Sequence, residues 1–361
     1  MDHVFKPHAP IGRQSELETI RQTFIADGDL MLAGVTGSGR RTLIRHTAQQ
    51  IGARVLELDC LRATTSGRFL TLLIENLLDL LATPSDIDLI EQWSQTYHLR
   101  VERNSRQTQL KWDAETQTDW SVFCALLTLP QAIAEQFDSR IVFVFQNFPH
   151  IRSWDRSGEW EAYLRQEIRR QSRVNYVVIA TIPEPWAQES HLQVITLPPL
   201  SRPLLQAWVT EAVANKGLQF DAEALALFLD SVQGHMGDAS ALARRIWLDC
   251  RDNTMSPGRS PIGLEQVHRS TQTLIEDLAT TFECLLLLLP PIQARVLESL
   301  AIDPTDSPHA RDYIQKHQLS KGGGLQGALA SLEQKGLIYS PKYGYAIALP
   351  LFRLWLKQRL G

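Results

Sequence analysis

Short apolar runs alternate with stretches of helical spacing over the first half of the chain. Asp29 to Gly34, Arg54 to Asp59, Arg140 to Phe145, Asn175 to Thr181 and Leu192 to Leu197 are compact and rich in Val, Ile, Leu and Phe. Runs of that length and composition predict strands, and near-continuous apolar character predicts strands buried on both faces of a parallel sheet. Between them the period changes. Leu17, Ile20 and Phe24 lie at helical spacing within Arg13 to Phe24, and Leu43, Ile44 and Ala48 do so within Arg41 to Gln50. Phe69 to Leu81 and Ser121 to Gln136 also read as helices. The alternation predicts an α/β parallel sheet with helices on both faces over residues 1–200. Residues 83–118 are polar and read as an insertion on the surface, a solvated loop with a short helix.

The pattern changes after residue 200. Residues 201–252 read as three helices without a strand. Pro203 supports the first start, and Asp221 reads as an N-cap. Gly234 to Asp238 separates the last two helices, and His235 reads as a turn residue there. Asn253 to Ile262 is rich in Pro, Gly and Ser and reads as a linker, so that 253–290 holds a linker and a connecting helix. Residues 291–361 predict helices over Ile292 to Ala301, His309 to His317 and Leu325 to Lys335. A two-stranded wing follows over Gly336 to Ala348, with its turn at Lys342 to Gly344. Three helices and a hairpin predict a winged helix.

Composition narrows the class. The chain has 361 residues, 44% of them hydrophobic and 21% charged, with a net charge of −4. No run of about 18 apolar residues occurs, which argues against a membrane span. The first residues lack the apolar core of a signal peptide. Cys60, Cys124, Cys250 and Cys284 are far apart and show no paired spacing, so free thiols in a reducing cytoplasm are expected rather than a zinc site or disulfides.

Candidate chemistry sits between the first strand and its helix. Gly34, Gly37 and Gly39 stand in the frame of a phosphate-binding loop, where backbone N–H groups at a helix N-terminus cradle phosphate oxygens. The lysine slot of that frame holds Arg40, and the Ser/Thr slot holds Arg41. Lysine normally reaches the β- and γ-phosphates, and the hydroxyl ligates Mg²⁺. Guanidinium keeps the charge but has no acceptor for a metal. Thr42 has a hydroxyl one residue late, which turns it by about 100° on a helix. The strand ending at Phe145 continues into Gln146 and Asn147. These amides have nearly the shape of carboxylates but neither bind Mg²⁺ well nor accept a proton.

The order of these features resembles the AAA+/STAND P-loop ATPases of the archaeal-ATPase kind, and more distantly the Orc/Cdc6 initiators. The resemblance rests on Gly12 to Leu17 before the sheet, the glycine frame at 34–39, and the strand ending at Gln146 and Asn147. It also rests on the C-terminal pattern Leu332 to Ile338 with Leu349 to Leu356. It implies an AAA+-like α/β core, a helical lid and a C-terminal winged helix. It also implies ATP or ADP as cofactor, held by Ile11, Gly12, Arg13, Gly34, Gly37, Ser38, Gly39, Arg40, Arg41 and Thr42. Gln146 and Asn147 occupy the positions where the family carries an Asp and a Glu, which hold the Mg²⁺ shell and polarise the attacking water. Thr181, at the tip of its strand, is the candidate sensor of the γ-phosphate. Arg169, Arg170 and Arg173 are candidates for an arginine finger.

With four chemical positions replaced together, good Mg²⁺ binding is not expected, and no residue is assigned a catalytic role. The expected function is that of a degenerate, hydrolysis-deficient ATP-binding fold acting as a regulatory or scaffolding subunit through protein contacts, including homo- or hetero-oligomers. Two alternatives remain at this stage. One is an active ATPase with relocated metal ligands. The other is a DNA-binding accessory factor in replication, transposition or defence. Residues 291–361 hold nine Lys/Arg against five Asp/Glu, and Lys321, Lys335 and Lys342 are the candidate DNA contacts. The third helix there opens with Gly322, Gly323 and Gly324, which offer base edges no side chains. A protein-contacting winged helix is therefore the preferred reading.

Overall fold

The computed structural model describes residues 5, 9–80, 84–104, 107–112, 117–168, 170–190, 192–252, 261–320, 322–339, 342 and 344–361. The chain groups into two compact units. One comprises Arg13–Ala33 and Arg40–Thr196. The other comprises Met1–Gly12, Gly34–Gly39 and Leu197–Gly361.

In the first unit, α1 (Gln14–Ile25) leads to β1 (Leu30–Ala33). After the phosphate-loop residues come α2 (Arg40–Gln50), β2 (Arg54–Asp59) and α3 (Ser66–Asp79). The segment read as a surface loop forms α4 (Pro84–Thr96) and an antiparallel hairpin, β3 (Arg100–Asn104) with β4 (Gln107–Lys111). That expectation is corrected: Ile90, Trp93, Leu99 and Leu110 are buried in the same core as the sheet. The apolar positions of α4 are Leu89, Ile90 and Trp93, with Tyr97 just past its end, diluted by Asp, Glu, Gln and Ser between them.

The helix expected over Ser121 to Gln136 is two helices, α5 (Asp119–Leu126) and α6 (Leu129–Gln136). Pro130 lacks the N–H that a continuous helix would need, and its ring would meet the Leu126 carbonyl. β5 (Ile141–Gln146), α7 (Glu159–Glu167), β6 (Val174–Ala180), α8 (Pro185–Glu189) and β7 (Gln193–Thr196) complete the unit. Both α7 and α8 escaped the pattern, being short or largely polar.

The five strands form one parallel sheet in the order β2-β5-β6-β1-β7. Burial follows position. β1 and β6 are buried at every residue, and β5 at all but its last, whereas the edge strands β2 and β7 alternate or are partly exposed. The one polar side chain wholly buried in β6, Asn175, is fully used. It donates to the carbonyls of Phe24 (3.2 Å) and Gly28 (2.8 Å) and accepts from Arg140 (3.1 Å).

In the second unit, α9 (Arg202–Ala214), α10 (Ala222–Val232) and α11 (Met236–Asp252) are the three expected helices. Asp221 caps α10 by accepting from the Ala224 N–H at 2.7 Å, as its position predicted. The expected linker lies mostly outside the described residues. α12 (Leu264–Leu287) follows, a helix of 24 residues.

α13 (Pro291–Ile302), α14 (Arg311–Lys316), α15 (Gly323–Gln334) and α16 (Pro350–Leu360) then enclose a second core around Val296, Leu325, Leu332 and Phe352. The expected two-stranded wing is reduced, among the described residues, to one antiparallel bridge, Ile338 to Ile347. Flanking bonds run from the Tyr339 N–H to the Ala346 carbonyl and from the Ala348 N–H to the Leu337 carbonyl. Among the described residues, no helix is long and apolar enough to cross a membrane.

Candidate functional site

The phosphate loop is built by glycine. Gly37 has φ +85° and Gly39 has φ +93°, a left-handed region that costs an L side chain about 1–2 kcal/mol. A Cβ at Gly39 would meet nothing within 4 Å, whereas one at Gly37 would lie 2.5 Å from Nε2 of His235. A side chain would thus find open space at Gly39 and the His235 ring at Gly37. Ser38 Oγ is buried without a hydrogen-bond partner, an orphaned polar atom at the centre of the glycine frame. An anion cradle fits that arrangement.

The cover comes from the turn between α10 and α11. Gln233 (φ +43°) and Gly234 (φ +81°) end α10 in the left-handed region and deliver His235 ahead of α11. His235 is 5% exposed. Its Nε2 lies 2.7 Å from the Thr36 carbonyl, and the Gly237 N–H donates to the Gly37 carbonyl at 3.1 Å. Its Nδ1 accepts from the Asp238 N–H at 3.1 Å and also lies 3.0 Å from the Asp238 carboxylate. The first contact suits the neutral ring with its proton on Nε2; the second suits the imidazolium.

Burial disfavours the charged form of His235. The Asp238 hydrogen bond and charge, with the Thr36 carbonyl, outweigh burial and hold the pKa above the ordinary value. A raised folded pKa means that stability from this group is fully present below about pH 6.5 and is lost as pH rises through the folded value. The thermal midpoint gap between wild type and His235→Gln should therefore narrow as pH rises above about 6.5. A gap that stays constant or widens would contradict that charge assignment.

Of the other expected nucleotide-binding residues, Ile11 and Gly12 belong to the second unit, and Arg13, Arg40, Arg41 and Thr42 to the first. Arg13 is buried and pairs with Glu16 at 3.0 Å, so its charge is already answered there. Arg40 opens α2, and its Nη1 donates to the Ala180 carbonyl at the tip of β6, 3.0 Å away. Burial pulls its pKa below the ordinary guanidinium value without discharging it. Thr181 follows Ala180 directly, half-buried. Thr42 is exposed.

Arg41 pairs with Glu57 on β2 at 2.6 Å, and Arg45 pairs with the other oxygen of the same carboxylate. The Gln146 amide donates to Glu57 at 2.8 Å, and the Asn147 amide donates to Asp59 at 2.9 Å. Asp59 also accepts from the Leu61 N–H at 3.1 Å.

Glu57 and Asp59 are the residues that sequence reasoning missed. They are two apart on β2 and so share a face. The sheet register sets Asp59 across from Gln146. Acid and amide are thus exchanged between neighbouring strands: amides stand on β5 and carboxylates on β2. Glu57 is saturated by three donors, and Arg41 has no lone pair to offer a cation. These residues line a cavity of about 640 Å³ with Arg62, Asn76 and Asp79. Among the described residues no group of three or more His, Cys, Asp or Glu is arranged to hold a metal.

The remaining candidates are dispersed. Arg170 pairs with Glu167 at 2.9 Å and Arg173 with Asp138, so neither of these arginine-finger candidates is free; Arg169 lies outside the described residues. Lys335, at the end of α15, donates to Gln293 at 2.6 Å. Lys342 is engaged within the fold, and Lys321 lies outside the described residues. α15 itself carries no Lys or Arg.

Residues 280–358 match a protein-family model described as "Probable winged helix domain". No curated protein matches the chain. Among solved structures, the Walker-type ATPase of Pyrococcus abyssi is 14% identical, with a TM-score of 0.67 over 98% of this chain and 99% of its own. The Aeropyrum pernix ORC2 protein in its ADP form gives 0.56 at 14% identity, over 99% and 98%. The Aeropyrum pernix ORC1 protein in complex with DNA gives 0.53 at 14% identity, over 99% and 96%. At such identities the likeness is one of fold, and the chain has the fold of the archaeal Orc1/Cdc6-like and Walker-type AAA+ ATPases, with a winged helix domain at its C-terminal side.

Proposed function

We propose that this protein is a nucleotide-binding, hydrolysis-deficient member of that fold, acting as a regulatory or scaffolding subunit. ATP or ADP phosphates would be held by the N–H groups of the glycine loop and by the positive charge that opens α2. The nucleotide-bound forms among the similar structures support the first part: the Aeropyrum pernix ORC2 protein is described in an ADP form.

One observation carries the second part. The two side chains at the tip of β5, Gln146 and Asn147, present amides that are already donating to Glu57 and Asp59. Neither can take a proton from water or give a charged oxygen to a metal. The acids that could do so are on β2, and Glu57 is occupied by Arg41 and Arg45.

Protein rather than DNA is the partner favoured for the winged helix. The Aeropyrum pernix ORC1 structure is of a DNA complex, yet α15 here has an uncharged exposed face and Lys335 is tied to Gln293. Neither supports phosphate contact or base readout.

The test is calorimetry with ATP and ADP, with and without Mg²⁺, on protein stripped of co-purified nucleotide, together with a phosphate-release assay. Binding of equal strength with and without Mg²⁺, and no phosphate release, is expected. Mg²⁺-dependent release abolished by Glu57→Gln or Asp59→Asn would replace this reading with a working ATPase using relocated acids. No binding at millimolar nucleotide would leave a scaffold only.

A further inference from the structure

His235 and Asp238 do more than cover the loop. α16 begins at Pro350, and its N-cap residue, Leu349, has no side-chain acceptor, so the first-turn N–H groups of that helix lack a cap of their own. The acceptor comes from elsewhere in the same unit. The Leu351 N–H donates to Asp238 Oδ2 at 2.9 Å. A carboxylate at a helix N-terminus also meets the positive end of the helix dipole.

The other oxygen of Asp238 faces His235 Nδ1 at 3.0 Å, and Nε2 of the same ring faces the Thr36 carbonyl at 2.7 Å. Two side chains thus form one unbroken line from the phosphate loop to the first turn of α16. The base of the line is rigid: the Leu200 N–H donates to the Gly234 carbonyl at 3.0 Å, and a Cβ at Gly234 would lie 2.4 Å from the Leu200 carbonyl. Bending this turn to follow a moving loop would cost the Leu200 to Gly234 bond. A shift at Thr36 must break the Nε2 contact or rotate the imidazole, and rotation moves Nδ1 off Asp238.

We propose that His235 and Asp238 link the phosphate loop to the winged helix, so that the conformation of residues 36–37 sets how firmly the first turn of α16 is capped. The link is a property of the folded chain alone. Only its use as a readout of bound nucleotide rests on the function proposed above.

Amide hydrogen exchange on the full-length protein without nucleotide tests the link by cross-reading. His235 does not touch Leu351, and Asp238 makes no hydrogen bond to the loop carbonyls. His235→Ala should nevertheless speed exchange at Leu351, and Asp238→Ala should speed it at Ser38, whose N–H donates to the Val35 carbonyl at 3.2 Å, each by about fivefold for about 1 kcal/mol of lost hydrogen bonding. The two cross-effects should have the same sign, because both substitutions break the same line of contacts. Where an alanine variant fails to fold, His235→Gln and Asp238→Asn carry the same comparison.

Faster exchange confined to each variant's own contact would overturn the link. The same measurement with ADP then separates the two claims. Both cross-effects without any ADP response would retain the link and remove the nucleotide readout. An ADP response at the loop that never reaches Leu351, with the cross-effects present, would retain the link and the binding and remove the nucleotide readout.

Discussion

Gln146→Glu should destabilise the protein at neutral pH, and Glu57→Gln should partly restore it. The change is nearly isosteric, but it replaces an amide that donates to Glu57 at 2.8 Å with a second carboxylate. Two carboxylates at that distance cannot both stay charged without cost, so the pair would hold a proton at raised pKa. Arg41 and Arg45 offset part of the repulsion, and their exposed heads are screened by water. The net penalty should be about 1–3 kcal/mol at pH 8.

The sign with pH follows from linkage. A carboxyl whose folded pKa is raised destabilises above its unfolded value of about 4.3, so the penalty should fade as pH drops toward it. Urea denaturation of the two single variants and the double, at two pH values, gives a coupling energy. Additive singles would mean that the contact between Gln146 and Glu57 does not govern the choice of amide. The same logic bears on restoring activity. Returning acids to 146 and 147 one at a time would place charge against charge while Glu57 and Asp59 remain.

Gly37→Ala should cost more than Gly39→Ala, although both positions have φ near +90°. The backbone strain of about 1–2 kcal/mol is common to the two. At Gly39 the added Cβ meets open space, whereas at Gly37 it meets Nε2 and Cε1 of His235 at 2.5 and 2.7 Å. His235 cannot yield without losing the Thr36 carbonyl, so about 1 kcal/mol or more is added. Denaturation midpoints check this directly. The comparison cancels the strain and leaves the lid contact. If the two variants are equally destabilised, His235 does not press on the loop in solution.

The sheet was legible because its central strands are continuous apolar runs, a pattern only a doubly covered parallel strand requires. Helices with a wide apolar stripe, such as α3, were legible too. What escaped was helix and hairpin structure with a thin apolar face: α4 shows Leu89, Ile90 and Trp93 among polar neighbours, and α7 is largely polar. The break at Pro130 was present in the chain and overridden by the strong apolar period on either side. The wing was legible as a pairing of Leu337–Tyr339 with Ala346–Ala348, and among the described residues it carries one antiparallel bridge, Ile338 to Ile347.

The glycine frame, the arginines at 40 and 41 and the amides at 146 and 147 stand in the sequence itself, because a backbone that needs positive φ and a side chain that lacks a charge are local properties. The partners of those residues are not local. Glu57 and Asp59 become relevant only once β2 lies beside β5, and His235 becomes part of the loop only when a turn almost 200 residues away folds over Gly37. Hydrogen bonds act over about 3 Å, so which donors are satisfied, and which remain available to a phosphate or a metal, was decided by the tertiary structure alone.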